Sequence, residues 1–285
     1  MEQERVQSQQ PLVGDAPGLY LDLMKKCLTR LVFDEPYKPL RRIVKPWKAR
    51  LVGELQQRLA TRQMEVVSQV PHRRARETGL DWPPPATAET MIGLARLDNV
   101  HHCVCDVLER GVPGDLIEAG VWRGGTTIFM RAILAAYGET SRMVWVADSF
   151  QGLPKPSGKY EADIGDDHWT YQELAVSPEE VRRNFERYGL LDDQVRFLEG
   201  WFQDTLPSAP IEKLAVARLD GDMFESTIVA LEALYPKLSV GGYLIVDDYA
   251  LPGCRRAVNE FRREHAVSEP IQEIDWTGAF WQRQG

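Results

Sequence analysis

The chain has 285 residues, 44% of them hydrophobic and 27% charged, enough for one α/β domain with a sizeable core and an N-terminal extension. Its formal net charge of -8 argues against general nucleic-acid binding, which needs a basic surface to neutralise phosphates. No apolar run approaches the ~20 residues of a membrane helix, and the polar first eleven residues lack the apolar core of a secretory signal, so a cytoplasmic protein without membrane association is expected.

In chain order, residues 1–16 are polar and are expected to be disordered. Residues 17–89 read as a helical and irregular extension. Apolar residues recur at helical spacing from Leu19 to Leu31, and Pro36, Pro39 and Pro46 interrupt a basic stretch over 34–50. Leu51, Leu55 and Leu59 mark an amphipathic helix within 50–70, and Trp82-Pro83-Pro84-Pro85 forms a stiff extended connection. Between Tyr37 and Thr78 eleven Lys or Arg stand against three Glu. A solvated helical face is the plain reading, an anionic partner the other. Cys27, Cys103, Cys105 and Cys254 form no C-x-x-C pair and lie beside no His at zinc spacing, so they read as small buried hydrophobes in a reducing compartment.

From residue 90 to 285 short apolar runs alternate with helical patterns. A helix is expected over Met91–Glu109. Strands follow at Leu116–Ala119, Met143–Ala147, Val195–Leu198, Leu214–Leu219 and Tyr243–Val246. Helices fall at Thr126–Tyr137, Pro178–Tyr188, Ser226–Leu238 and Gly253–His265. That alternation predicts an α/β domain, a mostly parallel sheet with helices on both faces. Ile271–Asp275 and Ala279–Gln282 flank Trp276-Thr277-Gly278 as a C-terminal antiparallel hairpin.

Four constellations carry chemistry. In Asp115-Leu-Ile-Glu118-Ala-Gly120-Val-Trp-Arg-Gly124-Gly125 a strand ends on an acid and meets glycines at a helix start, where ligands of open α/β sheets bind. The spacing is not G-x-G-x-x-G, which weakens a dinucleotide reading, whereas Glu118 can face a positively charged cofactor or its amino group. Asp148-Ser149 closes the next strand, where a carboxylate can accept ribose hydroxyls or, alternatively, cap the following segment. Gly200-Trp201-Phe202 follows the third strand; its aromatics can wall an adenine ring or simply cover the core edge. Last, Asp220 and Asp222 end one strand, and Asp247 and Asp248 end the next. Converging Asp220, Asp247 and Asp248 repel one another unless a cation neutralises them, and hard oxygen ligands suit Mg²⁺ or Ca²⁺. Loop-capping and solvated aspartates are the alternative. Asp222 and Asp220 are candidate bases. His168 is a second one, inside a Gly152–Ser177 insertion long enough to serve as a lid. His101-His102 reads as packing.

Together I-E-A-G-V-W-R-G-G, A-D-S-F-Q-G-L-P, L-D-G-D-M-F-E-S-T and G-G-Y-L-I-V-D-D-Y resemble the macrocin O-methyltransferase family. L-Y-L-D-L-M-K-K-C-L, D-W-P and T-M-I-G-L-A-R-L are similar to its N-terminal signatures. The resemblance covers most of the chain from Leu19 onward. It implies a Rossmann-like, seven-stranded, class I methyltransferase that methylates a sugar hydroxyl of a glycosylated antibiotic. S-adenosylmethionine would be held by Glu118, Gly120 and Asp148, with Thr90 and Met91 at its methionine end. Mg²⁺ would lie on Asp220, Asp247 and Asp248, Asp222 or Asp220 would be the base, and the His168 region would contact the sugar. Family members commonly form homodimers through N-terminal elements; here the basic stretch between Lys38 and Arg76 is longer than the family pattern. The rivals are a catechol-type O-methyltransferase, a non-catalytic cofactor-binding scaffold, and a nicotinamide-dependent oxidoreductase.

Overall fold

Residues 15–33, 37–40, 44, 46–62, 64–69 and 87–285 are described in the computed structural model. The Trp82–Pro85 connection, much of the basic stretch and residues 1–14 lie outside them.

Helix α1 spans Ala16–Leu28, starting three residues before the apolar pattern does. The Asp15 carboxylate accepts the Gly18 N–H at 2.9 Å, and Pro17 suits a first turn whose N–H groups have no helical partner. Leu21, Met24 and Leu28 line one face and are buried in the cluster that holds Val100, Val104 and Phe129. The start of the extension is therefore packed into the main core. The stretch expected to be irregular up to residue 50 contains strand β1 (Tyr37–Pro39) and the first turn of α2 (Pro46–Ala60). β2 (Val67–Gln69) pairs antiparallel with β1.

The rest alternates as the periodicity predicts: α3 (Leu94–Glu109), β3 (Asp115–Ala119), α4 (Gly125–Ala136), β4 (Val144–Asp148), α5 (Pro178–Arg187), β5 (Val195–Glu199), a short α6 (Phe202–Thr205), β6 (Leu214–Leu219), α7 (Phe224–Leu234), β7 (Leu238–Val246), α8 (Pro252–Glu264), β8 (Gln272–Glu273) and β9 (Ala279–Gln282). Helix α7 stops four residues short of the expected Leu238. Pro236 has no N–H to continue the ladder, and Tyr235–Lys237 turns into a β7 that starts five residues early.

The sheet has seven strands in the order β5-β4-β3-β6-β7-β9-β8. β5 through β7 run parallel, and β9 and β8 are antiparallel. Every residue of β6 is buried, as a central strand covered on both faces requires. One apolar cluster fills each side of the sheet. From β3 the chain winds outward through β4 and β5, then crosses to β6 and β7 on the other side. The switch point lies between β3 and β6, and the crevice beyond their carboxyl ends is where such sheets bind ligands. No helix among the described residues is long and apolar enough to cross a membrane.

Candidate active site

Two strand ends meet closely at the switch point. A Cβ on Gly120, which has φ +92°, would lie 1.8 Å from the Asp220 carbonyl oxygen, so only glycine lets β3 and β6 close here. Beyond it the turn is pinned by Asp148 at the end of β4. Its Oδ2 accepts the N–H of Val121 at 2.8 Å and of Trp122 at 3.3 Å, and its Oδ1 accepts the Phe150 N–H at 2.7 Å. Asp148 thus does the capping work considered for it and also braces the glycine turn. Two N–H groups thus occupy Oδ2, and room for an incoming hydroxyl is left at Oδ1, whose second contact, Ser149 Oγ, is long at 3.5 Å.

The carboxylates are organised around two buried arginines. Arg218 lies opposite Glu118 across the β3–β6 ladder and is 1% exposed. It donates through Nη1 to Glu118 and, at 2.8 Å, to Asp220, and through Nη2 to Asp247 Oδ1. Arg96, 2% exposed on α3, donates through Nη1 to Asp247 Oδ2 and through Nε to Asp275 at 2.8 Å. The cations needed to hold converging acids together are thus supplied in part by the chain itself. Burial opposes ionisation of Asp247, but Arg218 and Arg96 outweigh it and hold its carboxyl below the usual range. The others go the opposite way. Burial pushes Glu118 up to about 8 despite Arg218. Burial and the charge of Asp220 push Asp222 up to about 7. Asp220 is raised, and Asp248 well raised, by burial and by the acids around them.

One oxygen from each of Asp220, Asp247 and Asp248 lies within 4.8 Å of the others. This all-oxygen set could hold a hard divalent cation. Asp222 has φ +55°, uncommon for a residue with a Cβ, and donates its N–H to Asp248 Oδ2 at 3.2 Å. His168 lies in a 3₁₀ turn of the insertion, its Nδ1 2.8 Å from Asp166 Oδ2. Burial lowers its pKa, but Asp166 outweighs that and leaves it raised.

Two adjoining cavities open on these groups. The first, about 280 Å³, is lined by Gly120, Asp148, Ser149, Trp201, Phe202 and Gln203 among others. The second, about 340 Å³, collects Thr90, Glu118, His168, Asp247, Asp248 and Trp276. Met91, Trp122, Leu174, Asp220 and Asp222 line both. Of the residues expected from the sequence to hold the cofactor or metal or to act as base, Gly200 alone lines neither; its N–H donates to the Asp148 carbonyl at 2.9 Å. Buried Glu118 Oε2 has no hydrogen-bond partner among the described residues. His101 lies 3.0 Å from Lys25 and packs edge-on to Phe129, away from both cavities, as the packing reading expects.

The chain matches the family model described as Macrocin-O-methyltransferase (TylF) over residues 17–283. It belongs to that family. Among its relatives is the 8-demethyl-8-(2,3-dimethoxy-alpha-L-rhamnosyl)-tetracenomycin-C 4'-O-methyltransferase of Streptomyces olivaceus, 52% identical over 95% of this chain and 94% of that protein. The demethyldecarbamoylnovobiocin O-methyltransferase of Streptomyces niveus is 48% identical, covering 93% of this chain and 94% of that one. The solved structure of the O-methyltransferase NovP is 46% identical, with a TM-score of 0.79, covering 94% of this chain and 100% of that chain.

This macrocin O-methyltransferase family member is thus an O-methyltransferase with the class I methyltransferase fold. Its arginines were the residues that sequence reasoning missed. The signal was present: Arg218 is the one charge inside Leu214–Leu219, and Arg96 sits on the buried face of α3 beside Leu97 and Val100. A guanidinium placed among core residues needs a buried anion, and that points to the site. Leu174, Tyr171 and Trp276 were missed because loop spacing does not reveal which cavity a loop residue reaches.

Proposed function

We propose that the chain transfers a methyl group from S-adenosylmethionine to a sugar hydroxyl of a glycosylated natural product, with Mg²⁺ on Asp220, Asp247 and Asp248. The observation that carries this reading is the three-carboxylate set that lines the second cavity, with Asp220 also on the wall it shares with the first, in a chain whose relatives are named for methylating glycosylated antibiotics. S-adenosylmethionine would supply an electrophilic methyl group. A divalent cation would supply the positive charge that makes an acceptor hydroxyl more acidic.

The chain's residues do the rest. Trp201 and Phe202 wall an adenine ring, Asp148 and Ser149 take the ribose, and Gly120 lets the cofactor approach the backbone. The free Glu118 Oε2 accepts from the ammonium of the methionine end beside Thr90 and Met91. Gly200 acts at one remove, through its bond to the Asp148 strand end. Asp222, poised near neutrality at the wall of both cavities, takes the acceptor proton, with Asp220 as the neighbouring candidate. His168, oriented by Asp166, faces the sugar. Holding the hydroxyl in line with the methyl and shielding it from water accounts for most of the rate.

Residues 90–285 form the catalytic domain, and 17–89 form an extension tied to it through α1. The exposed Leu19, Tyr20 and Leu23 of α1, with Val32 and Phe33 beyond it, support a homodimer or larger homo-oligomer, which sedimentation measures.

Calorimetric titration with S-adenosylhomocysteine tests the cofactor, with micromolar binding expected and absence of binding rejecting the reading. Methyl transfer to glycosides, but not to their aglycones, is expected to stop in chelator and return with Mg²⁺. Undiminished turnover in chelator rejects the metal role.

A further inference from the structure

We propose that Trp276 is a specificity residue, an indole platform at the mouth of the acceptor cavity that takes the apolar face of the aglycone. This rests on the sugar-methylation reading above.

Trp276 lines the second cavity together with Asp247, Asp248 and His168, yet it is 70% exposed, whereas Asp247 is 3% exposed. The carboxylates are the floor and the indole is the rim. An acceptor whose sugar hydroxyl reaches the floor presents to the rim what lies beyond the sugar. An indole left in water gains little for the fold, and it offers a ring face that an apolar, flat partner can cover.

The turn that carries it is braced on every side except that of the indole. Asp275 Oδ1 accepts the N–H groups of Thr277 at 2.9 Å and Gly278 at 2.7 Å. Asp275 Oδ2 accepts from Arg96, the same guanidinium that holds Asp247. Thr277 Oγ1 donates to the Asp247 carbonyl at 2.8 Å, and the Ala250 N–H donates to the Thr277 carbonyl at 3.2 Å. The rim is therefore fixed directly to the backbone of a floor residue, and through Arg96 to its carboxylate, so its distance from the reacting hydroxyl is set by the fold. A platform at fixed height measures how an acceptor continues past its sugar.

The test uses the full chain with Mg²⁺ and S-adenosylmethionine. The probes are glycosides of the tetracenomycin and novobiocin classes, each paired with the methyl glycoside of its own sugar. For the best glycoside, Trp276→Ala is expected to raise KM about fivefold to tenfold, the size of one aromatic contact, with kcat kept. KM for the methyl glycoside should not move, and Trp276→Phe should restore most of the loss. Because the indole is exposed, the melting temperature should be unchanged. Equal KM changes for glycoside and methyl glycoside, or no change in either, overturn the proposal while leaving the methyltransferase reading intact. A wild-type chain that binds S-adenosylhomocysteine but methylates no glycoside overturns the sugar reading, and the proposal with it.

Discussion

Asp222 combines a left-handed backbone, a carboxyl near neutrality and a place on the wall of both cavities. Asn tolerates positive φ at least as well as Asp, so Asp222→Asn removes the charge without disturbing the turn. Turnover is expected to fall by about a hundredfold or more, the usual contribution of a general base, with S-adenosylhomocysteine affinity kept. In wild type kcat/KM should fall on the acid side of a limb near the value of about 7. Raising Mg²⁺ should move that limb to lower pH, because a nearby cation favours the carboxylate; a limb unmoved by Mg²⁺, or retained in the Asn variant, assigns it elsewhere. Arg218 makes a different kind of demand. Arg218→Met strands Glu118 and Asp247, and breaking a buried charge network this way costs about 3–5 kcal/mol, read as a large drop in the denaturant midpoint. Arg218→Lys should not restore it, since one ammonium lacks the planar fork that reaches three carboxylates. The aspartates could be singled out in the sequence because their spacing places them at strand ends. What each carries could not: Asp247 lies low because Arg218 on the neighbouring strand and Arg96, 151 residues away, both pack against it.

At the level of elements, the 152–177 insertion is held at several points. Trp122 Nε1 donates to the Glu173 carbonyl at 2.8 Å, and Ser157 Oγ donates to Glu225 at 2.7 Å. Buried Asp163 accepts the N–H groups of Phe224 and Glu225 at 2.8 and 2.9 Å. A residue of the insertion thus caps α7, a helix whose own N-cap, Met223, offers no capping oxygen. Asp163→Ala should cost about 1 kcal/mol, as lost caps do, and should raise acceptor KM more than it weakens S-adenosylhomocysteine. Equal effects on both ligands would make the cap purely structural. The parallel strands and their helices were legible because burial on both faces writes continuous apolar runs. The insertion was not, because its three short 3₁₀ turns have no period to read. The apolar pattern marks β7 only from Tyr243, since Ser239, Gly241 and Gly242 break it over the part of the strand that reaches back to Leu238.

For the molecule as a whole, buried acids make stability depend on pH. Glu118, at about 8, and Asp222, at about 7, keep protons that the unfolded chain releases near pH 4. The native state therefore binds more protons than the unfolded one across that window, and stability falls as pH rises through it. Raised His168 acts in the same direction. Asp247, held low, acts oppositely and only in more acid solution. Without divalent cations the melting temperature should drop between about pH 5 and pH 8, and Mg²⁺ should raise it more at the alkaline end, where its ligands are charged. A rise independent of pH would place the ion elsewhere.

The wall common to the two cavities has a consequence for binding. Met91, Trp122, Leu174, Asp220 and Asp222 each face both chambers, so neither chamber can be filled without changing the other's surface. Linkage makes that change mutual: the factor by which the methyl donor alters acceptor affinity is the factor by which the acceptor alters donor affinity. Titrating either ligand with the other saturating should then return one and the same factor, and the two products obey the same rule with a factor of their own.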